Sequence, residues 1–77
     1  FAFATLIFAG PTLERHDARR DYGERRTIAV GLAHGIALTV VYTDRTDARG
    51  KATRRLISAR RSNRREREAY VRALEGP

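Results

Sequence analysis

A chain of 77 residues holds a single domain, residues 1–77, and can bury only a modest core. It has no cysteine, which excludes disulfide staples and thiolate metal sites. Its formal net charge is +7, and all 16 of its basic residues except Lys51 are arginine. Guanidinium forks match phosphate and carboxylate and stay charged when partly buried, so nucleic acid or an acidic protein is the expected counterpart. Two histidines in separate turns make a weak metal set, and no phosphate-cradling Gly-rich loop, HExxH or nucleophile elbow occurs, so no metal and no cofactor are expected.

Residues 1–9, FAFATLIFA, are apolar nearly throughout. Phe1, Ala4 and Phe8 recur at helical spacing, as do Phe3 and Ile7, so a short buried helix is predicted, ended by Gly10 and Pro11. Core packing is the expected role of its phenylalanines, with partner contact as the alternative. The run is too short to span a bilayer and lacks the basic region and cleavage site of a signal peptide. No membrane segment is read, and with the lack of cysteine a cytoplasmic location is expected. The chain opens on Phe1 and contains no methionine, which reads as a fragment or processed form.

Residues 12–25, TLERHDARRDYGER, are polar and read as a loop with at most a short strand near Leu13, turning at Tyr22 and Gly23. His16 beside Asp17 is expected to be a solvated loop residue, since neighbours in sequence need not converge. Residues 26–33 alternate as a strand, Arg26, Ile28, Val30 and Leu32 against Thr27, Ala29, Gly31 and Ala33. A turn at His34 and Gly35 leads to a β-branched strand over 36–43. Residues 44–52 read as a polar loop broken by Gly50. A third strand follows over 53–60, with Arg54, Leu56, Ser58 and Arg60 on one face and Thr53, Arg55, Ile57 and Ala59 on the other.

Asn63 and Glu66 form a capping-box pattern, and the helix that follows runs to Leu74 or Glu75 before Gly76 and Pro77. Arg64 and Arg65 sit in its first turn, where positive charge opposes the helix dipole. An anion held between Arg60, Arg61 and the helix N-terminus would account for them. The fold expected is α+β, a three-stranded antiparallel sheet flanked by an N-terminal and a C-terminal helix.

RNA carries its own nucleophile, the 2′-hydroxyl. Cleavage needs a proton acceptor, cations to stabilise the phosphorane, and a donor for the leaving oxygen. Arginines supply the second role, and Glu24 or Tyr42 the first or third. The alternative is a basic module that binds nucleic acid or a protein partner without catalysis.

The strings Tyr22-Gly23-Glu24-Arg25-Arg26, Val40-Val41-Tyr42-Thr43-Asp44-Arg45 and Leu56-Ile57-Ser58-Ala59-Arg60-Arg61, followed by Arg65-Glu66-Arg67 and Tyr70, together resemble the BrnT family of type II toxin–antitoxin toxins. The resemblance covers residues 1–70, and the segment from Ser58 into the last helix is its most specific part. It implies a RelE-like fold and a ribonuclease that inhibits translation by cutting RNA. It implies neutralisation by a cognate BrnA-type antitoxin with a ribbon-helix-helix part, an oligomeric complex, and repression of operator DNA through that antitoxin. Family positions carried over give Glu24, Arg26, Tyr42 and Arg60 as catalytic candidates and Arg45 and Arg61 as RNA contacts; Arg64 and Arg65, basic residues in the first turn of the last helix, are added to the RNA contacts on their charge. Arg20 stands where the family often has histidine, and Asn63 replaces a capping threonine. The family's opening strand with an Asn-x-x-Lys-His-Gly segment has no counterpart in residues 1–77.

Overall fold

A computed structural model describes residues 2–17 and 25–76 of the chain. A 3-10 helix, Ala4–Ala9, precedes strands β1 (Leu13–His16), β2 (Thr27–Ala33), β3 (Ile36–Thr46) and β4 (Ala52–Arg61), and helix α1 (Arg64–Glu75) closes the chain. The strands form one antiparallel sheet in the order β1-β2-β3-β4. The sheet thus has four strands where three are predicted. The extra one, β1, lies in the polar 12–25 segment and gains its ladder from β2, with Leu13 opposite Val30 and His16 opposite Thr27. Among the described residues no helix is long and apolar enough to cross a membrane.

The β2–β3 hairpin turns on His34 (φ 50) and Gly35 (φ 79). Positive φ at both central residues is the turn that matches the twist of the flanking strands. β3 runs three residues beyond its predicted end, because Asp44 pairs with Arg54 across the ladder. Asp47 then makes the turn, accepting the backbone N–H groups of Arg49 and Lys51 on Oδ1.

One sheet face receives the 3-10 helix. Ala4 and Ile7 pack with Ala29, Ala33, Leu38, Val40 and Tyr42 in the core, with Phe8, Ile36, Leu56 and Ala59 at its edge. Gly31 permits this approach: a Cβ there would lie 2.8 Å from Ile7 Cβ. Six residues are too few to repay α-helix nucleation, and the tighter 3-10 form serves instead. Of the residues expected in the core, Ala4 and Ile7 are buried and Phe8 packs half-buried at its edge, whereas Phe3 is 46% exposed beside the His34 ring and Phe1 lies outside the described residues.

The other face receives α1. Tyr70, buried, donates its hydroxyl to the Pro11 carbonyl at 2.8 Å. Thr39 and Ser62 share a buried hydroxyl hydrogen bond of 2.8 Å at the start of the helix. The predicted capping box is present: Asn63 Oδ1 accepts from Glu66 N at 2.9 Å, and Glu66 Oε1 accepts from Asn63 N at 2.8 Å.

Candidate active site beside the 3-10 helix

A bulge in β4 decides which side chains meet here. Val41 faces Ser58 and Tyr42 faces Leu56, so Ile57 is an extra residue in the ladder. Residues N-terminal to it change face relative to simple alternation. Arg54 therefore comes opposite Asp44 and joins Tyr42 on the face of the 3-10 helix.

Arg54 donates Nε to Asp44 Oδ1 at 2.8 Å and Nη2 to Oδ2 at 3.0 Å. Its guanidinium carbon lies 4.1 Å from the Tyr42 ring centroid and 4.8 Å from that of Phe8, and the two rings meet edge to face at 5.4 Å. The cation is thus held by a carboxylate at its edge and by aromatic quadrupoles beneath. The bidentate bond from Arg54 lowers the Asp44 carboxyl from its ordinary value, and the bond to Asp44 raises Arg54.

Tyr42 is buried, and its hydroxyl reaches across β2 to donate to Glu14 Oε1 at 2.9 Å. Burial first, then the bond to Glu14, raises the phenol from its ordinary value, so it stays a donor at neutral pH. Thr12 donates its hydroxyl to the second Glu14 oxygen at 2.9 Å. The exposed Glu14 carboxylate is thereby fixed by one neutral donor on each oxygen. His16, also exposed, lies two residues along β1 and so on the same face. It is a strand residue, where a loop position is predicted.

The residues expected from sequence are distributed differently. Tyr42 belongs to this cluster, as a buried member. Glu24 lies outside the described residues. Arg26 precedes β2, half-buried, and its carbonyl accepts from Asp17 N at 2.9 Å. Arg45 and Arg60 share the α1 face by register, since Arg60 is opposite Thr39 on the strand that carries Arg45. Six residues along β3 separate those levels by about 20 Å. Arg60 turns to α1 instead, giving Nη1 and Nη2 to the two Glu66 oxygens at 2.7 Å each. Arg61, opposite Leu38, falls on the other face by register. Arg64 donates Nε to Glu68 at 2.9 Å. Arg65 borders a cavity of about 260 Å³ between α1 and the sheet, together with Leu13, Arg15, Ile28, Val30, Glu66 and Ala69.

The anion expected at the α1 N-terminus is internal. Glu66 occupies the place between Arg60 and the cap, and the Arg60 fork, followed by the Asn63 N–H, brings its carboxyl down to about 2. Arg54, Glu14 and His16 are absent from the set expected from sequence. Glu14 and His16 lie on β1, in a segment read as a loop with at most a short strand near Leu13, and Arg54 reaches its place through the bulge. Among the described residues, no group of three or more His, Cys, Asp and Glu side chains is placed to hold a metal ion.

The cluster thus joins a guanidinium layered on two aromatic rings to a fixed carboxylate, on a strongly basic α+β domain. Comparison with protein families defines the class: the model of the ribonuclease toxin BrnT of type II toxin–antitoxin systems matches residues 1–66. The match spans most of the chain, and the chain belongs to that family. Membership implies RNA as substrate and an antitoxin as partner. No curated protein and no solved structure matches the chain.

Proposed function

We propose that this protein cleaves RNA at the Glu14–Tyr42–Arg54 cluster without a metal or cofactor and thereby inhibits translation. A cognate ribbon-helix-helix antitoxin of BrnA type neutralises it, and the complex represses its own operator in the cytoplasm. The domain is of RelE-like type in this reading. The observation that carries the reading is the Glu14 carboxylate, held by Tyr42 and Thr12 on the face where Arg54 is stacked and charged. A carboxylate can take a proton, and a preorganised guanidinium can stabilise the charge of a phosphorane.

The arginines expected from sequence take a shared role here. Arg61 shares the sheet face of the cluster and contacts RNA there, whereas Arg45 and Arg60 lie on the α1 face; with Arg26, Arg64 and Arg65 they extend the basic surface to further phosphates rather than gripping one phosphodiester. Tyr42 acts by positioning Glu14, and Glu24 stands as the rival proton acceptor.

The test is incubation of the purified protein with end-labelled RNA in EDTA, with and without the product of the adjacent reading frame. Discrete cleavage products that disappear on adding that partner are the expected result. Binding with a steep salt dependence and no product would reduce the protein to a non-catalytic basic module.

A further inference from the structure

We infer that Glu14 and His16 are the proton-transfer pair of this site, Glu14 the base and His16 the acid; the inference rests on the ribonuclease reading above. Both project from β1, where Glu14 faces Ala29 and His16 faces Thr27 in register. Residues two apart on a strand share a face, with Cα atoms about 7 Å apart. That spacing lets the two side-chain ends stand on either side of a single phosphorus.

Each member suits its task. A general base must hold its lone pairs in a set direction. The bonds from Tyr42 and Thr12, one to each oxygen, fix the carboxylate plane. A carboxylate offers about four acceptor sites, so two donors leave capacity for a substrate hydroxyl. Four other carboxylates are committed elsewhere: Asp44 to Arg54, Glu66 to Arg60, Glu68 to Arg64, and Asp47 to its own turn. Glu14 is instead held by neutral hydroxyls, which orient it without neutralising it. His16 is exposed, and an imidazole can both donate and accept a proton. Arg54, stacked on the ring whose hydroxyl holds Glu14, supplies positive charge on the same side of the sheet.

The step balances without a co-reactant. Glu14 takes the proton of the RNA 2′-hydroxyl as that oxygen attacks the adjacent phosphorus. The bond from phosphorus to the 5′ oxygen breaks, and that oxygen takes its electron pair and a proton from the His16 imidazolium. The products are a 2′,3′-cyclic phosphate and a free 5′-hydroxyl.

Single-turnover cleavage of end-labelled RNA in EDTA tests the pair, using the full chain and its Glu14→Gln, His16→Ala and Glu24→Gln variants. Glu14→Gln and His16→Ala each lower the rate about 100- to 10,000-fold, the range of general acid–base catalysis, while RNA affinity and melting temperature stay at the parent's values. RNA carrying sulfur in place of the bridging 5′ oxygen has a leaving group that needs no proton. It restores His16→Ala to the parent's rate and leaves Glu14→Gln slow, a split that a merely structural role would not produce. Parent-like rates in both variants, sulfur rescue of both or of neither, or a greater loss in Glu24→Gln than in Glu14→Gln overturns the assignment. A parent protein that cuts no RNA removes the ribonuclease reading itself, and the pair with it.

Discussion

Arg54 and Arg60 lie on opposite faces of the sheet, although they stand six positions, an even step, apart on one strand. Their partners on β3, Asp44 and Thr39, are five apart, and the extra residue at Ile57 absorbs the difference. One arginine thereby reaches the aromatic rings beside Glu14, and the other the cap of α1. Deleting the bulge would turn Arg54 away from Tyr42.

Arg54→Ala is expected to lower RNA cleavage about 100-fold or more, the usual loss when a charge-stabilising donor is removed from a site. Arg54→Lys should recover little of it. A lysine supplies the charge but not the planar fork that binds Asp44 at two points while stacking on Tyr42. Rates from a single-turnover assay on the three proteins check this. An Arg54→Ala protein as fast as its parent would remove the guanidinium from the mechanism.

Tyr42→Phe keeps the ring and deletes the bond to Glu14. The expected loss of stability is about 1 kcal/mol, the net worth of one hydrogen bond, read as a lower urea midpoint at unchanged slope. Cleavage should fall as well, because the Glu14 carboxylate is then held only through Thr12. If cleavage is unchanged in Tyr42→Phe, the tyrosine serves packing alone.

Glu66 makes folding sensitive to acid. Its carboxyl sits at about 2 in the folded protein, below the ordinary 4.5, mainly through Arg60. A group depressed on folding stabilises the native state while ionised. Its contribution is full above about pH 4.5 and is lost as pH falls from there toward 2. Urea midpoints measured from pH 6 to about 2.5 should therefore converge for the parent and Glu66→Gln at the acid end. At neutral pH the variant is expected to be about 1–2 kcal/mol less stable, having lost the charged partner of Arg60 in the capping box.

Gly31→Ala should destabilise the fold by about 1–3 kcal/mol, since the new Cβ would meet Ile7 Cβ at 2.8 Å and Thr12 Cγ2 at 3.1 Å. Combining it with Ile7→Ala tests the cause. The double variant should be more stable than the sum of the single losses predicts, because the two positions share one space. Strict additivity in thermal melts would place the cost elsewhere.

Arg45→Ala and Arg61→Ala are expected to weaken RNA binding without regard to sequence, each reducing the salt slope by about one unit. Filter binding over a range of salt concentrations measures it. An unchanged slope in both removes them from the RNA surface.

Much of the fold was legible in local chemistry. The β2–β3 hairpin follows from Gly35 between alternating and β-branched runs, and the start of α1 follows from Asn63 and Glu66 at capping-box spacing. What was not legible depends on partners distant in sequence. Leu13–His16 carries no β-branched residue and becomes a strand only by pairing with β2. Asp44–Thr46 reads as loop yet stays in the ladder, because Asp44 meets Arg54 there. Simple alternation through Ile57 assigns Arg54 the wrong neighbours. The site divides in the same way: Tyr42 was singled out from its string, whereas Glu14 and Arg54 join it through pairings that no local pattern announces.

One of the two edge strands, β4, pairs only with β3 among the described strands, and it bears Arg54, Arg55, Arg60 and Arg61. A second copy laid along that margin would bring guanidinium groups against their own kind over a kinked, irregular rail. Self-association into fibrils is thereby disfavoured at the place where an open sheet is most exposed to it. An extended segment rich in aspartate and glutamate would meet no such repulsion.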